Sequence, residues 1–263
     1  PAMSGASAVD PDAEEVLRDM STYLSGLAAY SAKAEVDTEV IDTNGQKLQL
    51  VTSGSFLLSR PGSFYSQRQT PYGSFEVFID GKTVKIYSKT RGVYYQLAAP
   101  GSLDHAITTL GEETGFELAG ADLIYSDPLP GLMTDVTSGK YLGTTSVNGV
   151  ECHHVAFRAS KVDWQMWIQT GDKPLPMKYV ITTKWMTAAP EFSVLLQEPG
   201  RVRPEKPAPK CACACAAASD FQTPVAPEKW TAKSARSSTE RATHASSVTD
   251  TLSVPRSRSD RLA

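Results

Sequence analysis

The sequence predicts an α+β fold in which a large antiparallel sheet curls over a few helices grouped on one face. Three observations carry this expectation. A 3.6-residue apolar period runs from Asp10 to Leu27 and returns after Ser102. The period is two almost everywhere else. The period-two stretches are punctuated by Asn44-Gly45, Asp80-Gly81 and Asn148-Gly149, dipeptides that accept the positive φ of tight hairpin turns.

The first helix opens at Asp10-Pro11, a capping carboxylate followed by a residue suited to the first helical position. Val16, Leu17, Met20, Tyr23, Leu24 and Leu27 form its apolar stripe, and Glu14 and Glu15 suit the positive end of the helix dipole. From Tyr30 to Leu97 the alternation predicts a meander of about six strands. Leu48, Leu50, Thr52, Gly54, Phe56 and Leu58 share one face, as do Phe75, Val77 and Ile79, and Val93, Tyr95 and Leu97. Ser102 caps a second helix with Leu103, Ala106, Ile107 and Leu110 inward and Gly111 or Gly115 as its stop. Residues 119–125 add a turn or two, and Asp127-Pro128-Leu129-Pro130-Gly131 reads as a breaker. Strands then return at 140–147, 150–158, 162–169, 177–184 and 191–196.

A sheet of about ten strands tends to curl. Its concave face is expected to carry Phe56, Phe75, Phe78, Tyr95, Trp164, Met166, Trp167 and Tyr179, with Val77 and Ile168 in the same rows. An apolar face is ordinarily plain core. The functional reading needs the helices to leave part of the sheet uncovered. A residual cavity would then suit an acyl chain or another apolar ligand, with Phe56, Phe75, Val77, Tyr95, Trp164, Met166, Ile168 and Tyr179 as its candidate lining.

The chain's 263 residues and net charge of −3 conceal two unlike segments. Residues 197–263 carry net +4, only two of the aromatics (Phe221 and Trp230), and three of the four cysteines; residues 1–196 carry net −7. The division expected is a disordered segment 1–9, a domain 10–196, and a basic low-complexity extension 197–263 read as disordered. Near-neutral total charge gives no reason to expect nucleic-acid binding, and no apolar run is long enough for a transmembrane helix. Ala6-Ser7-Ala8 has the form read by a signal peptidase. It is read either as the end of a trimmed export signal or as a remnant without a role.

Several blocks of residues form a recognisable set. Val162-Asp163-Trp164-Gln165-Met166-Trp167-Ile168-Gln169 is followed by Gly171-Asp172-Lys173-Pro174-Leu175-Pro176-Met177-Lys178. Asp10-Pro11-Asp12-Ala13, Asp80-Gly81-Lys82-Thr83, Tyr141-Leu142-Gly143 and the run from Val147 to His154 accompany them. Across residues 9–196 this set resembles a family of predicted periplasmic proteins within the LolA-like superfamily of lipoprotein carriers and related lipid-binding or sensor proteins. The resemblance implies an unclosed antiparallel β-barrel with helices over its open side, export to the periplasm, and binding rather than catalysis. The partners expected are a lipid, a lipoprotein acyl chain or another apolar small molecule, with an envelope protein as the partner under the alternative reading of a sensor or interaction module. The resemblance transfers no ligand and no functional residue. One departure stands out: the alternation ends at Leu196, where relatives are expected to continue in strand-like sequence. A shifted reading frame after codon 196 would explain this, and translating the other frames tests it.

Other chemistry finds little support. Cys211, Cys213 and Cys215 lack the second cysteine pair and the spacing of a zinc site. His153 and His154 are neighbours on a strand and point to opposite faces, so they cannot readily share one ion; His105 reads as a surface residue. No nucleophile elbow, P-loop, zinc-protease or dinucleotide motif occurs. The sequence is therefore read as a binding protein without cofactor or metal. A ligand-free envelope sensor is the alternative, and a hydrolase without a recognisable motif stands behind both.

Overall fold

In a computed structural model of the protein, the fold begins where Asp10 accepts a hydrogen bond from the Asp12 amide and starts α1 (Pro11–Ser25). The structure describes residues 8–115, 118 and 120–201. The extension with Cys211, Cys213 and Cys215, and the Ala6-Ser7 part of the export-signal motif, lie outside the described residues.

Six strands follow as the alternation predicts: β1 (Ala29–Ile41), β2 (Lys47–Ser59), β3 (Ser63–Thr70), β4 (Gly73–Asp80), β5 (Thr83–Ser88) and β6 (Val93–Ala98). The second helix, α2 (Leu103–Thr114), is capped by Ser102 and stops at Gly115, whose φ of 66° is left-handed. After it come a single 3-10 turn at Ala121–Leu123 and α3 (Pro128–Leu132). Five more strands close the chain: β7 (Val136–Val147), β8 (Val150–Ala159), β9 (Val162–Gln169), β10 (Pro176–Thr183) and β11 (Glu191–Arg201). At the β7–β8 turn both Asn148 and Gly149 have positive φ, 51° and 80°, as a tight hairpin requires.

All eleven strands form one antiparallel sheet in the order β6-β5-β4-β3-β2-β1-β11-β10-β9-β8-β7. The two meanders meet where β1 pairs with β11. β6 and β7 are the two edges, so the barrel is unclosed. The β7 edge is partly occupied: Val9 bridges Gly139, and Asp10 N–H donates to the Gly139 carbonyl at 3.1 Å.

The concave face holds the core. Tyr30, Leu58, Phe64, Val77, Ile79 and Val84 line one half; Val155, Phe157, Trp164, Met166, Ile168, Tyr179 and Val194 line the other. α1 packs against β7–β9, and α2 against β5. Burial of this apolar surface drives the assembly. α1 is tied to α3 through Ser21, which donates to Asp127 at 3.0 Å and accepts from the Leu129 amide at 3.1 Å.

Four local expectations are corrected. The Asp127–Gly131 segment is not a breaker but the start of α3, because both prolines fall in the first turn, where a helix needs no amide donor. β7 begins at Val136 rather than Lys140: a Cβ on Gly139 would lie 2.7 Å from the Phe157 ring, so glycine there admits the ring. β11 continues past Leu196 to Arg201 by shifting register between Ser31 and Lys33 of β1. Phe78 and Trp167 face away from the core. Phe78 packs on Tyr65 and Trp167 stacks on His154, with centroids 4.9 and 4.1 Å apart.

A small cavity beneath the helical cover

The strand register brings Ala34 of β1, Gly54 of β2, Arg68 of β3 and Phe75 of β4 into one row across the concave face. The next row is Ala32, Phe56, Ser66 and Val77. A cavity of about 40 Å³ lies over these rows, under Leu118. Its apolar wall is Ala34, Val36, Phe56, Phe64 and Leu118. Thr52, Gly54, Ser55, Ser66, Gln67 and Arg68 complete the lining.

Aromatic packing holds the floor in place. Phe56 meets Tyr30 edge-on with centroids 5.3 Å apart and stacks on Phe64 at 6.1 Å. Gly54 allows β2 and β3 to approach closely, since a Cβ there would fall 2.3 Å from the Gln67 carbonyl oxygen. The cover is clamped at the opposite end. Arg60 donates to the Tyr125 carbonyl at 2.9 Å, and Asp104 accepts from the Ser126 amide at 2.9 Å. Among the described residues after α2, Leu118 reaches the cavity.

Two lining groups are polar in a setting that desolvates them. Ser66 is 6% exposed, and its Oγ has no hydrogen-bond partner. Burial pulls the Arg68 guanidinium down to about 10, which leaves it protonated at neutral pH.

Of the eight candidate residues, Phe56 alone lines this cavity. Val77, Trp164, Met166, Ile168 and Tyr179 are packed core, each 5% exposed or less. Trp164 stacks on Phe157 at 4.3 Å and meets Tyr179 edge-on at 5.9 Å. Burial, with Asp122 nearby, raises the Tyr179 phenol well above the usual range. Phe75 is half-buried in the Arg68 row, and Tyr95 is 49% exposed on β6 beyond the helical cover. Ser66, Arg68 and Leu118 also line the cavity, outside the rows that the alternation singles out. One signal was present: Phe64, Ser66 and Arg68 share a face, so an arginine stands where an apolar residue is expected.

His153 and His154 part as predicted. His153 bonds the Tyr141 hydroxyl at 2.9 Å, and His154 bonds Gln165 at 3.0 Å on the opposite face. His105 is exposed, and Cys152 is buried as a free thiol. Among the described residues no group of three or more His, Cys, Asp or Glu gathers as a metal site.

An open antiparallel half-shell with its helices on the concave side is the unclosed-barrel architecture that the resemblance to LolA-like proteins implies. The chain belongs to the DUF2092 family, described as predicted periplasmic proteins, whose model matches residues 13–205. No described helix is long and apolar enough to cross a membrane. No curated protein sequence matches the chain. Among solved structures it is similar to LprF from Mycobacterium bovis, at 14% identity and TM-score 0.44, covering 74% of this chain and 96% of that one. It is also similar to the lipoprotein LppX from Mycobacterium tuberculosis, at 10% identity and TM-score 0.43, covering 74% and 98%. A LolA superfamily protein from Nitrosomonas europaea is a third, at 8% identity and TM-score 0.39, covering 73% and 95%.

Proposed function

We propose that the protein is a periplasmic binding protein that holds a lipid, acyl chain or other apolar ligand between the β1–β3 face and its helical cover, in the manner of a lipoprotein carrier. The observation that supports it is a cavity walled by Ala34, Val36, Phe56, Phe64 and Leu118. The driving force is burial of apolar surface, about 25 cal/mol per Å². A cavity of 40 Å³ is far below the ~300 Å³ or more of an ordinary small-molecule site. Binding therefore requires the cavity to widen, with Leu118 moving away from its opposite wall. No reacting group is required of the protein, which acts by binding and release.

The test is titration of the full chain with the neutral apolar dye N-phenyl-1-naphthylamine. Saturable binding with a blue-shifted emission is expected, and Leu118→Trp, which fills the cavity, weakens it at least tenfold. Absence of saturable binding by a folded protein overturns the reading.

One observation favours the sensor or interaction reading as the second. Val93, Tyr94 and Tyr95 on the β6 edge are each about half exposed, as is Tyr72 in the neighbouring turn. An open strand edge can accept a partner strand. Capture of an envelope protein by the wild type, lost in Tyr94→Lys, would support it.

A further inference from the structure

We propose that the β5–β6 hairpin, with the turn beside it, is a docking surface for an anionic phospholipid membrane. Its cations meet lipid phosphates, and its exposed tyrosines settle among the head groups. The proposal is independent of the cavity and of any ligand held there.

Charge is the first observation. Residues 81–100 carry Lys82, Lys85, Lys89 and Arg91 and no acidic residue, within a segment 1–196 of net −7. The cations run the length of the edge. Lys82 precedes β5, Lys85 lies across from Gln96 of β6, and Lys89 and Arg91 belong to the turn between the two strands. Two acids lie near them. Glu76 of β4 pairs with Lys89 at 2.6 Å, and Asp80 has Lys85 close by. Asp80 already accepts from the Lys82 and Thr83 amides at 3.0 and 2.8 Å. Lys82 and Arg91 are exposed and form no ion pair among the described residues. A cationic edge on an otherwise acidic domain turns that edge, and not the rest of the molecule, toward an anionic surface.

The second observation is apolar surface at the same place. Val93, Tyr94 and Tyr95 of β6 are each about half exposed, and so is Tyr72. Tyr72 is held beside the hairpin turn: the Lys89 amide donates to the Ser74 carbonyl and the Ser74 amide to the Thr90 hydroxyl, both at 2.9 Å. Tyr94 and Tyr95 are strand neighbours and point to opposite faces, so the edge carries a ring on each side. Tyrosine, with an apolar body and a polar tip, suits the membrane–water boundary. The third observation sets the depth. β6 is an uncharged strand with one edge unpaired. Its free backbone groups cannot enter hydrocarbon, but among the head groups they bond water and phosphate oxygens. A partner strand accounts for the open edge and leaves the four cations without a role. An anionic lipid surface accounts for cations, rings and edge together.

The full chain is co-sedimented with sucrose-loaded vesicles of phosphatidylethanolamine and phosphatidylglycerol, and with vesicles of phosphatidylcholine alone. Binding to the anionic vesicles is expected to be at least tenfold tighter. A cation near such a surface contributes about fivefold. Lys82→Gln with Arg91→Gln should therefore lower anionic binding at least tenfold. Lys140→Gln with Lys173→Gln, which removes the same exposed charge elsewhere, should leave it within about twofold. Tyr94→Ser with Tyr95→Ser should weaken it about fivefold at unchanged charge, which attraction between charges alone does not do. Where a double variant does not fold by circular dichroism, Arg91→Gln or Tyr94→Ser alone takes its place. Equal binding to both vesicles, or to neither, overturns the proposal. So does a preference that survives the hairpin variants, as it would if the basic extension 197–263 carried it, or one that ignores the tyrosines. Capture of an envelope protein through Tyr94 by a chain that sediments with neither vesicle overturns it in favour of a partner strand.

Discussion

Ser66 separates a structural from a functional explanation at the level of a single atom. Its hydroxyl is buried against Phe56 and Val77 without a partner. A structural role would make its removal costly. The ligand-binding account predicts the opposite. Ser66→Ala should raise stability by about 1 kcal/mol, a rise of roughly 2–4 °C in Tm. Thermal melts of the two proteins without ligand check this. His154 makes a second prediction. Burial holds its pKa below the ordinary 6.5, Lys178 adds to that, and the Gln165 hydrogen bond opposes it. The folded state therefore binds this proton less readily than the unfolded state. Stability is full above pH 6.5 and declines as pH falls below it. In His154→Gln that part of the decline should vanish, as read from Tm between pH 5 and 7.

Among the elements, β2 and β9 divide the labour. Gly54 of β2 lets β3 approach so closely that Gly54→Ala sets a Cβ against the Gln67 carbonyl. This substitution should cost about 2 kcal/mol or more through displaced backbone, seen as a lower urea midpoint. Trp164 of β9 lies in the core between Phe157 and Tyr179. Trp164→Ala should cost about 3–5 kcal/mol without altering dye affinity among the molecules that remain folded. The strands were legible because alternation survives in a half-buried sheet, and the Asn148-Gly149 turn because its backbone demands those residues. The cavity was less legible. Trp164, Met166 and Ile168 have the same apolar character as Phe56, and alternation does not reveal which half of the sheet the helices fill. Arg68 meets Gly54 and Phe75 only through pairing across three strands. Leu118 stands where the sequence has no periodicity. Asp127-Pro128 carried a helix-start signal, but the following Pro130 masked it.

At the scale of the molecule, the net charge is unevenly distributed. The segment 1–196 carries net −7, and the inward-facing cation Arg68 lies within it. The molecule's edges are also unequal. β7 is bridged by Val9, whereas β6 presents Val93, Tyr94 and Tyr95 at about half exposure. The proposed ligand capture and the alternative partner contact would thus fall at different places: the β1–β3 face and the β6 edge. Because ligand binds only the folded state, saturating ligand should raise Tm, whereas an edge partner would leave cavity affinity unchanged. The most direct test of the central claim is native mass spectrometry of the full chain after incubation with a bacterial phospholipid and fatty-acid extract. The account predicts a one-to-one adduct of acyl-lipid mass on the wild type and its loss in Leu118→Trp. A folded wild-type protein that keeps its bare mass, or an adduct undiminished in Leu118→Trp, would contradict it.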